Sequence, residues 1–185
     1  MSKNKTIIIF LIKFFVTYFL LTGGYSIYLS KTQETTGIFS CAPITRQVAD
    51  HVKVAAQIFG YQSSIDQNPD ELSIKFLLND QHVINVVEGC NSVSIIILFL
   101  AFIIAFKGGL KDTFFYGLFG AVTIYLVNIL RIFLIAVLYQ KFPAYKVFWH
   151  DLMFPAIIYG YIFLLWIVWV KYFSHYKELK NGQKD

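Results

Sequence analysis

Apolar residues in this chain come in long runs, not in strict alternation. The first run covers residues 6–29 and is interrupted only by Lys13. The second covers 91–106 and holds no charged residue. The third, 113–138, holds one charge, Arg131, and the fourth covers 152–170. A bilayer core of about 30 Å takes about 20 helical residues to cross. The pattern therefore predicts four membrane-spanning helices over these ranges. Pro155 is expected in the first turn of the fourth, where a missing N–H is tolerated. Residues 30–89 form the long polar segment. Within it, Ile44, Val48, Val52, Ala55, Ala56 and Phe59 repeat with the period of an amphipathic helix. Residues 72–78 and 83–87, either side of Asn79-Asp80, read as a β-hairpin. The expected fold class is an all-α polytopic membrane protein, one domain over 1–185, with a short helix and hairpin between spans 1 and 2.

Composition sharpens this picture. Of 185 residues, 57% are hydrophobic and 15% charged, against about 25% charged in soluble domains. The first run is expected to be a retained anchor. A cleaved signal peptide would have a shorter apolar region and a small-x-small site, for which Thr22-Gly23-Gly24 is a poor match. The net charge of +5 is spread along the chain and gathers at the ends of apolar runs, which argues for membrane orientation and against nucleic acid as a partner. Residues 1–6, 107–112 and 171–185 carry eight lysines, whereas the much longer 30–89 and 139–150 carry six Lys or Arg. The denser basic set marks the cytoplasmic side. Both termini are then cytoplasmic, and 30–89 and 139–150 lie outside, against the lipid headgroups. The two cysteines, Cys41 and Cys90, make no CxxC. No structural zinc site is expected from so few ligands, and no cofactor.

This topology puts three reactive residues at the outer surface. Cys90 opens the second span, His150 opens the fourth, and Arg131 lies one to two turns below the outer end of the third. Each has an ordinary explanation: a small buried thiol, a satisfied interfacial His, a snorkelling Arg. Cys90 sits in Val-Glu-Gly-Cys-Asn-Ser, a polar break that packing does not call for. Asn128 precedes Arg131 by three residues on the same helical face, and a charge inside a membrane helix points to function. A thiolate attacks carbonyl carbon, a His moves the proton, and a guanidinium lowers the thiol pKa or holds an oxyanion. Arg does not deprotonate and cannot be the base.

At these residues the chain resembles the exosortase/archaeosortase family of membrane cysteine transpeptidases, most closely the F type of Bacteroidetes. The matching pieces are Glu88-Gly89-Cys90-Asn91, Asn128-Ile129-Leu130-Arg131 and His150. The resemblance extends from about residue 88 to 170. It implies Cys90 as nucleophile, Arg131 as thiolate or transition-state stabiliser and His150 as acid/base, with Asn128, Glu88 and Asn91 in support. It also implies exported substrates ending in a short motif, a transmembrane helix and a basic tail, cleaved at the periplasmic face of a bacterial inner membrane and passed to a cell-envelope acceptor. One departure is Ser92, where many members have Gly. Another is the shorter chain, which suggests a minimal core.

Two other readings compete. In one, the chain is a non-enzymatic assembly or channel subunit with a Cys41–Cys90 disulfide, a bridge worth about 2–4 kcal/mol. In the other, it is a membrane acyltransferase that uses the same thiol. A free Cys90 fits the enzyme readings, and an oxidised one does not.

Overall fold

A computed structural model of the protein describes residues 3–106 and 108–173, with the side chains of Lys3, Asn4 and His150 outside that description. Lys107 and the lysines beyond residue 173, which entered the charge count, lie outside it too. Among the described residues, three helices are long and apolar enough to cross a membrane: Lys5–Thr32, Leu110–Lys141 and Pro143–Phe173. The first belongs to α1 (Lys3–Thr32) and the second is α4 (Leu110–Lys141). The segment expected to be span 2 forms the apolar helix α3 (Val93–Ala105), only 13 residues long. At 1.5 Å per residue it reaches roughly 20 Å, short of a bilayer core.

The chain divides into two compact units, one holding 1–25, 93–124 and 159–185 and the other 26–92 and 125–158. In the first, aromatic rings knit the helices. Phe10 meets Phe102 and Phe106 edge-on, and Phe102 stacks on Trp166 at 4.4 Å. The Tyr116 hydroxyl donates to the Leu165 carbonyl at 2.7 Å, satisfying its polar tip in an apolar setting. Gly120 lies directly under the Phe99 ring, and a Cβ there would overlap it.

The second unit holds α2 (Pro43–Ile58) and the antiparallel sheet β1 (Ser63–Gln67), β2 (Ser73–Leu78) and β3 (Gln81–Val87), in the order β1-β2-β3. The hairpin turn is Asn79-Asp80, with φ of 50° and 61°. Both residues are left-handed, as a two-residue type I′ turn requires, and Asn and Asp tolerate that best. Leu78 and Gln81 are accordingly paired. β1 is an addition to the expected hairpin. Along β2, alternate residues Ile74, Phe76 and Leu78 are buried. They share one core with Val48, Ala49, Val52 and Ala56 of α2 and with Ile129, Ile132, Phe133 and Ala136 of α4. The part of α4 that carries Asn128 and Arg131 is therefore packed against the sheet. Phe59 stacks on Phe133 at 5.1 Å, and Gln140 donates to the Leu78 carbonyl at 3.2 Å.

After α4 the chain stays helical almost throughout, through a 3₁₀ turn at Pro143–Tyr145, a short turn α5 (Lys146–Phe148), a wide π-type turn over Trp149–Met153, and α6 (Phe154–Val168). Pro155 thus stands inside a longer helical run. Its ring would crowd the carbonyl four residues back and it offers no N–H. The widened turn accommodates it, with the Phe154 N–H reaching the Trp149 carbonyl. His150 lies on this turn, a kind of distortion that recurs at functional sites.

Candidate active site

A short 3₁₀ turn, Glu88–Cys90, joins β3 to α3. Its anchor is the Glu88 carboxylate, which reaches the N-terminal end of α2. One oxygen accepts from the Ala42 backbone N–H at 3.0 Å. The other accepts from the Thr45 hydroxyl and from the Asn91 side-chain amide at 3.1 Å. The Asn91 amide also donates to Thr45 Oγ1 at 3.1 Å. A carboxylate at a helix N-terminus satisfies unpaired N–H groups and meets the positive end of the helix dipole. Glu88 and Asn91 therefore support the turn from behind. Asn91 is 1% exposed and Thr45 is fully buried.

Ser92 follows with φ of 64°, the left-handed region that favours glycine. The departure noted in the sequence therefore falls at a position where a side chain is strained. The Ser92 hydroxyl donates to the Asn91 carbonyl at 2.6 Å, a local bond of the kind that helps Ser hold such a conformation.

Cys90 is partly exposed and lines a cavity of about 340 Å³ within the second unit, together with Arg131, Ile132, Ile135 and Tyr139 of α4 and residues 82–86 of β3. Asn128, fully buried, links the two candidate residues. Its amide donates to the Cys90 carbonyl at 2.7 Å, and its oxygen accepts from an Arg131 terminal nitrogen at 3.4 Å. Arg131 Nε is buried with no hydrogen-bond partner. A buried, unmet donor on a partly exposed guanidinium, in the wall of a cavity shared with a thiol, is suited to an anionic or carbonyl oxygen.

Of the sequence candidates, the structure brings Cys90, Arg131 and Asn128 together, and Glu88 and Asn91 behind them. The His150 side chain lies outside the described residues. The cavity adds two residues that the sequence did not single out, His82 and Tyr139. Asn85 donates its amide to Glu71 at 2.7 Å and offers its oxygen to His82 Nε2 at 2.7 Å. An amide oxygen can only accept, so His82 Nε2 is the donor in this pair. Histidine in an alternating strand carries no signal of its own, so only the fold could point to it.

Both cysteines are free, so the structure contains no Cys41–Cys90 bridge. Cys41 is 6% exposed. Burial raises its pKa, with the Gln67 side chain acting in the opposite direction and the nearby Glu88 charge adding to the rise. A buried thiol held in its neutral form is a poor nucleophile. Among the described residues, no group of three or more His, Cys, Asp or Glu is placed to hold a metal ion.

Residues 7–170 match the family model for transmembrane exosortases (Exosortase_EpsH). A probable archaeosortase E of Methanocaldococcus jannaschii is 28% identical over 110 residues, which is 60% of this chain and 59% of that protein. The chain thus matches little more than half the length of that relative. No solved structure matches. The family match runs from α1 into the last helical run, taking in Cys90, Arg131 and the core that holds them, and the protein belongs to the transmembrane exosortase family.

Proposed function

We propose that the protein is a membrane cysteine transpeptidase that cleaves a C-terminal sorting signal from exported proteins and passes the new carboxyl end to a cell-envelope acceptor. One observation carries this reading: Cys90 and Arg131 line the same cavity, coupled through Asn128. The Cys90 thiolate attacks the scissile carbonyl carbon. Arg131 balances the thiolate charge and then the oxyanion of the tetrahedral intermediate. His150 takes the thiol proton and gives it to the leaving amine, which departs as the thioester forms. An acceptor nucleophile, or water, then attacks the thioester and frees Cys90. Asn128 holds the Cys90 carbonyl and the guanidinium, while Glu88 and Asn91 hold the turn.

In this reading α3, at 13 residues, crosses the membrane as a fourth span only with the residues flanking it, both termini are cytoplasmic, and the site faces the periplasm of an inner membrane. Substrates carry a short motif, a transmembrane helix and a basic tail.

The test uses matched membrane levels of wild type, Cys90→Ala and Cys41→Ser, with processing of a co-expressed substrate of this type as readout. Cys90→Ala should abolish processing and Cys41→Ser should retain it. Processing that survives in Cys90→Ala would remove the nucleophile, and the function with it.

A further inference from the structure

The cavity beside Cys90 is lined by five consecutive residues of one strand, numbers 82–86 of β3. Successive side chains of a strand point to opposite faces. A cavity on one face would touch alternate residues only, so five in succession place this one along the strand's edge. β3 is such an edge. The sheet order is β1-β2-β3, and among the described residues β2 is its one ladder partner. β3 also carries an extra residue, Val83, where pairing shifts from Phe76↔Ile84 to Leu77↔His82. Bulges of this kind are over-represented at sheet edges and beside active sites.

Proteins usually protect an edge strand by making it short, by bulging it, or by placing charges or proline along it, and of these β3 has only the bulge. The opposite edge follows that rule: β1 has five residues and includes Asp66. β3 has seven residues, Gln-His-Val-Ile-Asn-Val-Val, with no charge and no proline. An uncharged, β-branched edge of seven residues, with β2 as its one ladder partner among the described residues and Cys90 beside it, is suited to pairing with a further strand.

We propose that the free edge of β3 is the substrate-docking strand. The segment of an exported protein that precedes its transmembrane helix adds to the sheet as a fourth strand and carries its scissile carbonyl to Cys90. This rests on the proposed Cys90 chemistry and adds to it a binding mode. Main-chain pairing supplies affinity with little regard to sequence, and every second side chain is read by a wall. Here that wall is α4, through Ile132, Ile135 and Tyr139, with Arg131 nearest the reaction. Five residues of edge correspond to about 16 Å of extended chain. An extended segment also frees its amides, which a helix would keep in internal bonds.

The test uses the full-length protein in membranes with a co-expressed exported protein ending in a short motif, a transmembrane helix and a basic tail. In Cys41→Ser/Cys90→Ala protein, Val83→Cys supplies one thiol at the edge, and a single cysteine is moved along the substrate segment that precedes the helix. Oxidation should give disulfide cross-links at every second position. Separately, proline is moved along the same segment against the wild-type enzyme. Proline removes one N–H, and every second N–H faces β3, so processing should fall about tenfold at alternate positions and little between them. Processing with neither periodicity would overturn the docking edge and leave the cysteine chemistry standing. Periodic cross-links without any processing would support the edge and remove the proposed reaction. No cross-links and no processing would count against the edge.

Discussion

Replacing Glu88 with Gln tests whether one carboxylate ties the Cys90 turn to α2. The change keeps size and shape but removes the charge and turns one acceptor oxygen into a donor. Glu88 now accepts from Ala42 N–H at 3.0 Å, from Thr45, and from Asn91 at 3.1 Å. In the variant one of the two oxygens becomes an NH₂ group facing another donor. A hydrogen bond to a charged group is worth about 1.5–3 kcal/mol, and a charge at a helix N-terminus about 0.3–1 kcal/mol. Glu88 is partly exposed, so the lower part of the combined range applies, about 2–3 kcal/mol. At 1.4 kcal/mol per tenfold, the second unit should open roughly 30- to 150-fold more often. Cys41, buried beside Ala42 at 6% exposure, reports that opening. In Cys90→Ala protein it is the one remaining thiol, and its native-state alkylation rate follows the open population when opening is fast and reversible. Its intrinsic reactivity once exposed is the same in both variants. Glu88→Gln should label faster by about the factor given, and Thr45→Val less so. Coincident labelling rates would refute the tie.

Arg131→Lys should insert normally but process substrate on the order of 100- to 1000-fold more slowly. Lys replaces a planar fork of donors with a mobile point charge; near wild-type processing would make the charge an anchor only. His150→Ala and His82→Ala separate the histidine of the proposed mechanism from the one that lines the cavity. Loss of processing with His150→Ala and modest change with His82→Ala is the expected outcome, and the reverse would move the acid/base role to the His82–Asn85 pair. Gly120→Ala forces a methyl against the Phe99 ring and should cost about 1–3 kcal/mol, seen as a lower thermal midpoint in detergent. An unchanged midpoint would show that Phe99 can move aside.

Much of the membrane plan is legible in linear order. Apolar runs give α1, α4 and the last helix because a span needs only length and the absence of charge. The 3.6 period gives α2, and Asn79-Asp80 gives its turn because few residues accept two left-handed positions in succession. Arg131 and Asn128 stand out because polar groups in apolar helices are expensive to keep, and Cys90 because it sits in a polar break. Tertiary structure decided the rest. Ser-Ser-Ile-Asp-Gln becomes β1 only because β2 is there to pair with it. α3 stops at 13 residues because the chain ahead of it, 88–92, is taken up by the Glu88–Cys90 turn and Ser92. Glu88 finds its partners 43 and 46 residues away, a relation that no local spacing encodes. His82 and Tyr139 join Cys90 around one cavity because β3 and α4 share a core, and that core is assembled from long-range contacts that a one-dimensional pattern cannot carry.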